Sequence, residues 1–426
     1  MTRSRGIAEN RVSLNHLFAF EILDMILEDV VLHGVEELRD WSTPLKLSHV
    51  CQQWRTVLHN SPKRWSHIHI FPTKHSEHRV KFWLVRSRDC PLDIVVSDQS
   101  WTNKAAGKRM EDSLKLMLPS AARWRSLTLT LSLANVPLVE ASLAKLDSPL
   151  EALETFKMPK ESRLQIRPVR SQNTSPLNAH FLNHAPRLKQ LTMSSIGPSL
   201  QSKPPWAQHI TYLELGGMHL LPQTFHEILI SLPSLETLLL GALSSMGTGY
   251  PAFTHHRLRN IEVMVEKSDY LALLDVPALD SLMVVYDGSL NWMLGWKEYA
   301  WRGLCGFIER TRTIRCLHLD DAPAWFLRAL INLPEISELT LKDISDVLPI
   351  FSNEIGLPNM HTLRLQNCRD VTVDALTPFL NRRGPSRRDT SKSQLRFLGI
   401  KDCDSIILED REALKVIGKG WLEVVP

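Results

Sequence analysis

The sequence of 426 residues predicts an α/β protein, in which a small all-helical N-terminal domain precedes an irregular solenoid of parallel strands. Two observations lead to this prediction. Apolar residues recur at helical spacing between about residues 19 and 60, and a short apolar motif returns at near-regular intervals from about residue 120 onwards. The predicted segments are the helical domain (12–65), a linker with the first strands (66–120) and the repeat domain (121–426).

The first predicted helix, about residues 19–32, is apolar on more than one side. Between residues 22 and 31 its only polar residues are Asp24, Glu28 and Asp29. A domain of about 50 residues buries a small fraction of its surface, so part of this apolar surface is expected to contact a partner. The alternative is that the helix packs on the rest of the chain.

The second helical stretch is predicted to begin at Thr43, which serves as N-cap, with Pro44 at the first helical position. Apolar residues then recur at three- and four-residue spacing and share one helical face: Leu47, Val50, Trp54 and Val57. The helix is predicted to end before Pro62, since the residue before a proline avoids the α region.

Two stretches of this region resemble an F-box. The pattern V-C-x-x-W-R followed by S-P-x-x-W-S-x-I-x-I (residues 50–70) resembles its second half. Residues 17–33 resemble the family's L-P-x-E-I-L-x-x-I-L helix, with Phe18 and Ala19 where the family has Leu-Pro. Residues 82–96 and 118–131 look like the continuation found in many fungal F-box proteins.

The resemblance implies partners. In the F-box family these helices dock onto the Skp-type adaptor of a cullin–RING ubiquitin ligase, so the adaptor and the cullin complex are the expected partners. The residues expected to contact the adaptor are Phe18, Ile22, Ile26, Leu45, Val50, Cys51 and Trp54. Trp65 is expected to link the helical domain to the first strand.

A six-residue motif (apolar-x-x-apolar-x-apolar) recurs through the second part of the chain. Clear copies begin at residues 188, 210, 235, 258, 279, 314, 336, 360 and 395, and weaker copies lie at 124–129 and 150–156. Most steps between starts are 21 to 25 residues (188 to 210 is 22, and 210 to 235 is 25). This period is that of leucine-rich repeats, in which each motif forms one short parallel strand. The sequence therefore predicts an irregular leucine-rich-repeat horseshoe.

The segments between the motifs fit the same fold. Prolines precede several motifs and direct the chain into extended conformation, while residues 221–231 and 322–332 have helical spacing. Two longer steps contain insertions, a Trp-rich amphipathic helix (290–311) and a basic loop (382–392). Because the variable residues of each motif can change without disturbing the core, the concave face is expected to bind a target protein.

The formal net charge of +4 is concentrated in the basic loop. Five cations less one carboxylate sum to this value: Arg382, Arg383, Arg387, Arg388, Lys392 and Asp389. One interpretation is a nuclear-import or phosphate-binding patch, and the other is a solvated loop. The solvated loop is favoured, because charge runs in loops are usually solvated. A broad nucleic-acid footprint would instead spread the excess charge over a face or a helix.

The composition, with 43% hydrophobic and 23% charged residues, is that of a soluble globular protein. No apolar run approaches the ~18 residues of a membrane span, and no secretory signal is predicted. Six scattered cysteines without a C-x-x-C pair fit a reducing compartment, so the expected location is the cytoplasm, the nucleus or both.

Several residues have side chains that could form a chemical site. His67 and His69 on a predicted strand could bind a metal, but no carboxylate or cysteine completes a known spacing. Asp320-Asp321 could bind a basic ligand at the rim of the concave face or form an ordinary turn. The tryptophans of the first insertion could pack in the core or form an interaction site: Trp292, Trp296 and Trp301. Residues 241–251 are glycine-rich but lack the lysine of a phosphate-binding loop.

No nucleophile, base and orienting group occur together in a known pattern, so no catalytic, cofactor or metal site is predicted. The sequence predicts a non-catalytic substrate-recognition subunit of an SCF-type ubiquitin ligase. One alternative is a leucine-rich-repeat scaffold with a degenerate F-box and no ligase. The other is a nucleic-acid binder that uses residues 382–392.

Overall fold

The structure is a computed structural model. It describes residues 19–38, 42–98, 104–132, 135–146, 148–158, 179–193, 204–216, 222–241, 253–286, 294–330, 333–352, 357–383, 395–403, 405–406, 408–417 and 423–425. The chain forms two compact units, Met1–Leu188 and Lys189–Pro426. The boundaries predicted from the sequence, at 65/66 and 120/121, do not coincide with this division at 188/189. They stay predictions. Among the described helices, none has the length and apolar character needed to cross a membrane.

The first unit begins with three helices. They are α1 (Phe20–Leu38), α2 (Thr43–Ser48) and α3 (Gln52–Asn60), and a 3-10 turn (Pro62–Trp65) follows. The predicted first helix is therefore observed, and it continues six residues beyond the predicted end at about residue 32.

The prediction of one continuous helix from Thr43 to Asn60 is wrong. The backbone of Cys51 is extended (φ −159°, ψ 173°), and this separates α2 from α3. Local side-chain hydrogen bonds compete with the helix at this point: Ser48 Oγ donates to Leu45 O at 2.6 Å, and Cys51 Sγ accepts the Trp54 N–H at 3.5 Å. The apolar spacing is thus shared by two helices, and Val50 lies exposed between them.

Parallel strands and helices alternate through the rest of the first unit. The elements are β1 (His67–Ile70), α4 (Ser76–Ser87), β2 (Leu92–Ser97), α5 (Lys104–Met117), β3 (Trp124–Thr130), α6 (Val136–Leu143) and β4 (Thr155–Met158). The strands pair in the order β1-β2-β3-β4. Parallel neighbouring strands need a crossover connection. Helix α4 connects β1 to β2 in this way, and helix α5 connects β2 to β3.

The second unit is built on a large parallel sheet. Its strands are β5 (Gln190–Met193), β6 (Tyr212–Leu215), β7 (Thr237–Leu240), β9 (Asn260–Met264), β11 (Ser281–Val285), β12 (Cys316–Asp320), β13 (Glu338–Lys342), β14 (Thr362–Gln366), β15 (Phe397–Lys401) and β16 (Glu423–Val425), which are neighbours in this order. A separate parallel pair consists of β8 (Phe253–Thr254) and β10 (Leu274–Asp275). The predicted α/β class and its parallel strands are confirmed.

Helices connect many of these strands. They are α7 (Pro222–Ser231), α8 (Leu294–Arg310), α9 (Ala324–Leu330), α10 (Leu348–Ser352), α11 (Val373–Arg383) and α12 (Leu408–Ile417). The predicted helices at 221–231, 322–332 and 290–311 correspond to α7, α9 and α8.

The register of the sheet explains why the motif repeats. The two inward apolar residues of each motif stand beside their counterparts on the next strand, and both columns are almost fully buried. One column contains Leu282, Leu317, Leu339, Leu363 and Leu398, and the other contains Val284, Leu319, Leu341, Leu365 and Ile400. A single strand could not bury these side chains, so the stacked copies share one core.

The Trp-rich insertion contributes to this core. Trp301 of α8 is fully buried, and its ring centroid lies 4.7 Å from that of Phe326 on α9. This contact supports the packing interpretation for Trp301. Trp292 and the side chain of Trp296 lie outside the described residues, as do residues 242–251 of the glycine-rich segment.

Candidate functional site

Large apolar side chains lie exposed along α1. We call this group the α1 apolar surface, and its members are between 41% and 66% exposed: Phe20, Ile22, Met25, Ile26 and Val30. Leu23 and Leu27, on the side of the helix opposite Met25, are buried. Since residues three and four apart share a helical face, Ile22, Met25 and Ile26 present a continuous patch to solvent.

Polar contacts fix the rotation of α1 about its axis. The guanidinium of Arg64, only 3% exposed, forms an ion pair with Asp24 Oδ1 at 2.6 Å and also donates to the backbone oxygen of Asp24. Ser61 Oγ donates to the same carboxylate at 3.1 Å, and one turn further Lys63 Nζ lies 2.5 Å from Glu28 Oε1. Because Asp24 and Glu28 are held against the 3-10 turn, Ile22 and Ile26 on the other side of α1 stay exposed.

The junction of α2 and α3 carries the other predicted adaptor residues. Val50 is 57% exposed, whereas Leu45, Cys51 and Trp54 are partly buried. Helices α1, α2 and α3 contact one another, so these side chains and the α1 apolar surface belong to one three-helix cluster. Of the predicted set, Phe18 lies outside the described residues.

The prediction from sequence missed part of this surface. Phe20, Met25 and Val30 are exposed but were not among the predicted contact residues. A signal was present, because Met25 lies three residues after Ile22 and Val30 four residues after Ile26, on the same side of the helix. The Asp24–Arg64 pair was also missed, since its partners are 40 residues apart in the chain.

Trp65 joins the helical cluster to the elements that follow. Its side chain is fully buried, and its Nε1 donates to Leu58 O of α3 at 2.8 Å. Its ring packs edge-on against Phe82 and Trp83 of α4, with centroids 5.5 and 5.3 Å away. Trp65 therefore links the helical cluster to α4, and its expected link to the first strand stays a prediction.

A second candidate surface lies on the other face of the large sheet of the second unit. Between the buried columns, the strands from β6 to β15 carry half-buried or exposed side chains that are chemically varied. One register row across this face contains Glu214, Leu239, Glu262, Met283, His318, Thr340, Arg364 and Gly399. These are the variable residues that the sequence assigned to target binding.

Charge is not uniform along this row. Near one end, Tyr212 and Thr192 donate to Glu214 Oε2 at 3.2 and 3.1 Å. Burial, together with the charge of Glu214, raises the pKa of Tyr212 to about 12, and the same two causes raise the pKa of Glu262. Near the other end, Arg364 lies over the ring of Phe397 and 3.3 Å from Glu338 Oε2.

The Asp320-Asp321 pair is part of a turn. Asp320 is 2% exposed and forms an ion pair with Lys342 Nζ at 2.8 Å. Asp321 has a left-handed backbone (φ 55°), as do the residues that directly follow the next three strands: Asp343, Asn367 and Asp402. Aspartate and asparagine tolerate this conformation, so the structure supports the ordinary turn and not a ligand site at the rim.

The two histidines of β1, His67 and His69, make structural contacts with neighbouring side chains. His67 Nε2 lies 3.2 Å from Asp93 Oδ2 on the neighbouring strand, and the ring of His69 packs on Phe71. Burial lowers the pKa of His67, while Asp93 opposes this shift. Within the described part of the chain, no group of three or more His, Cys, Asp or Glu side chains is arranged to hold a metal ion.

The prediction that Arg382 and Arg383 lie in a loop is wrong. Both occupy the last turn of α11, where the helix dipole favours cations. Arg382 donates to Phe351 O, and Arg383 donates to Pro358 O at 3.3 Å while packing on Phe379. Two of the five cations of the basic segment are thus used within the fold, and the other three lie outside the described residues.

Comparison with known proteins gave no match, either to a family model or to a curated protein sequence.

Proposed function

We propose that this chain is a non-catalytic substrate-recognition subunit of an SCF-type (Skp–cullin–F-box) ubiquitin ligase. The α1 apolar surface carries the proposal, because it provides the exposed apolar helix that the F-box resemblance requires for adaptor docking. An exposed apolar patch on a soluble protein typically marks a site of protein–protein interaction.

The surface is large enough to contribute substantially to binding. Burying a half-exposed side chain of this size contributes about 1 kcal/mol, so the five residues of α1 contribute about 5 kcal/mol before the cost of association. Val50, Leu45 and Trp54 extend the contact onto the α2–α3 junction. Such a helix would lie in an apolar groove of the adaptor, a common mode of helix recognition.

For the second unit we propose a leucine-rich-repeat horseshoe whose concave face holds a target protein. Two buried thiols support the repeat interpretation. Cys368 Sγ lies 3.5 Å from Leu341 O, and Cys403 Sγ lies 3.8 Å from Leu365 O, so each thiol donates to the preceding strand at an equivalent position. Hydrogen bonding with Cys403, followed by burial, raises the pKa of the Cys368 thiol and keeps it protonated as a donor.

In this proposal the chain acts by proximity. The target would be held beside a ubiquitin carrier recruited through the adaptor and the cullin, which makes transfer to a target lysine effectively unimolecular. The varied side chains of the register row from Glu214 to Arg364 would select the target.

The test is binding of the full chain to a purified Skp-type adaptor, measured by biolayer interferometry. Ile22→Asp/Met25→Asp places two charges in the α1 apolar surface and is expected to weaken the affinity at least about a hundredfold. The matched control is Leu348→Asp/Val416→Asp, because those side chains are 46% and 71% exposed on the second unit, close to the 45% and 66% of Ile22 and Met25.

The control is expected to bind like the wild type. If a wild-type chain that is folded by circular dichroism does not bind the adaptor, the ligase proposal is wrong and a repeat scaffold with a degenerate F-box is the better interpretation. Equal losses in both double variants would place the effect outside the α1 apolar surface.

A further inference from the structure

A basic groove lies between α3 and α4 in the first unit. The open cavity has a volume of about 590 Å³. Its cationic or titratable lining consists of His59 from α3 together with His78, Lys81, Arg86 and Arg88 from α4 and its end. The remaining lining residues are Phe82 and Val85, so no carboxylate lines this groove.

The positive charges of the groove are not neutralised within the described part of the chain. No described carboxylate forms an ion pair with Lys81, Arg86 or Arg88. Lys63 and Arg64, by contrast, are paired with Glu28 and Asp24. Like charges held together without a counter-charge create a positive potential, which favours an acidic ligand.

Arg86 is held in a fixed orientation. Its guanidinium carbon lies 4.3 Å from the ring centroid of Phe82 and 5.2 Å from that of Trp65. Trp65 is itself fixed by burial and by its hydrogen bond to Leu58 O. Stacking occupies the flat face of the guanidinium and leaves its N–H edge for a carboxylate or phosphate, which it can bind bidentately.

The position of Arg88 carries backbone strain. Its φ of 46° with ψ of −125° lies in a region that L-residues rarely adopt and that glycine adopts freely. The chain nevertheless has an arginine here, at the end of α4, and the side chain lines the groove. Strained residues cluster at functional sites, so the strain is a second observation that favours a binding role.

We propose that the α3–α4 groove binds an acidic polypeptide segment. Charge complementarity identifies the ligand as an anion, and the lining favours a peptide over a single-stranded nucleic acid. Bases need free aromatic faces for stacking, whereas Arg86 covers Phe82 and Trp65 is buried. Val85, 78% exposed, offers an apolar contact suited to a peptide side chain. The groove does not include the α1 apolar surface, so this inference is independent of adaptor docking.

The experiment measures binding of a fluorescein-labelled oligo-glutamate peptide to the full chain by fluorescence anisotropy. Binding is expected to weaken as salt screens the charges. Lys81→Glu/Arg88→Glu reverses two charges in the groove and is expected to lower the affinity at least about tenfold. The matched control is Lys108→Glu/Lys145→Glu, which makes the same change in formal charge at two exposed positions of the same unit outside the groove. It is expected to retain the wild-type affinity within about twofold.

Arg88→Gly guards against misfolding of the double variant, because it removes one charge and relieves the strain at φ 46°. A severalfold loss of peptide affinity with an unchanged circular dichroism spectrum supports the inference. Three results would overturn it: no binding by the wild type, equal loss in both double variants, or tighter groove-dependent binding of an oligouridylate RNA than of the peptide. Ile22→Asp/Met25→Asp is expected to bind the peptide normally, which separates this inference from the proposed function.

Discussion

Helices α1 and α8 have similar lengths but differ in how far their apolar side chains are buried. On α8, five of the described apolar side chains are all but completely buried: Ala300, Trp301, Leu304, Phe307 and Ile308. Among the side chains of α1 that the structure describes, only Leu23 and Leu27 are buried to that extent, and five other large apolar residues are exposed. A helix with one apolar face can be covered by packing on one side. Helix α1 is apolar around most of its circumference, so packing on one side leaves apolar surface exposed. A partner can bury this exposed apolar surface.

The largest expected difference between the two helices is in their contribution to stability. Trp301→Ala removes a fully buried ring beside Phe326 and is expected to lower the free energy of unfolding by about 3–5 kcal/mol. Met25→Ala on α1 is expected to change it by less than about 0.5 kcal/mol. Urea unfolding followed by circular dichroism measures both. Similar losses for the two variants would contradict the comparison.

The next largest effect on the free energy of unfolding is expected at the Asp24–Arg64 ion pair, which orients α1. Asp24→Ala leaves the buried guanidinium of Arg64 without its partner and is expected to cost about 2–3 kcal/mol, because an unpaired buried charge is poorly solvated. The control Lys63→Ala removes the exposed partner of Glu28 and is expected to cost about 0.5 kcal/mol or less. A loss in Asp24→Ala as small as that of the control would show that the ion pair does not hold α1 in place. The measurement is again urea unfolding.

The smallest effect on stability is expected from polar substitution on the exposed side of α1. Met25→Asp is expected to change the free energy of unfolding by about 0.5 kcal/mol or less, because that side chain is already 66% exposed. The same variant is expected to reduce the fluorescence of bound anilinonaphthalene sulfonate, a dye that reports exposed apolar surface. Unchanged dye fluorescence would mean that α1 is covered in the free protein.

The sequence predicted best where one period controls the structure. Each clear copy of the six-residue motif contributes a strand to the large sheet, because its two inward apolar residues can be buried only beside the equivalent pair of the next copy. Helices α7, α8 and α9 were likewise indicated by apolar spacing. The strands depend on a motif repeated within the chain and the helices on local apolar spacing, so a single sequence was sufficient.

The sequence predicted poorly where neighbouring side chains decide. The break at Cys51 arises from hydrogen bonds of Ser48 and of Cys51 itself, which interrupt an otherwise regular apolar spacing. The glycine, proline and serine that follow Arg382 and Arg383 predict a loop. In the structure both arginines lie in the last turn of α11 and donate hydrogen bonds to the carbonyl oxygens of Phe351 and Pro358. In both cases the local pattern was compatible with two structures.

By itself, the sequence determined the α/β class, the strands of the repeat and the apolar excess of the first helix, because apolar periodicity and composition are properties of the chain alone. Only the tertiary structure decided which side of α1 stays exposed, through an ion pair between residues 40 positions apart. It alone also brought His59 of α3 and the cations of α4 into one groove. Surfaces and charge clusters depend on distances between elements, and those distances are set by packing.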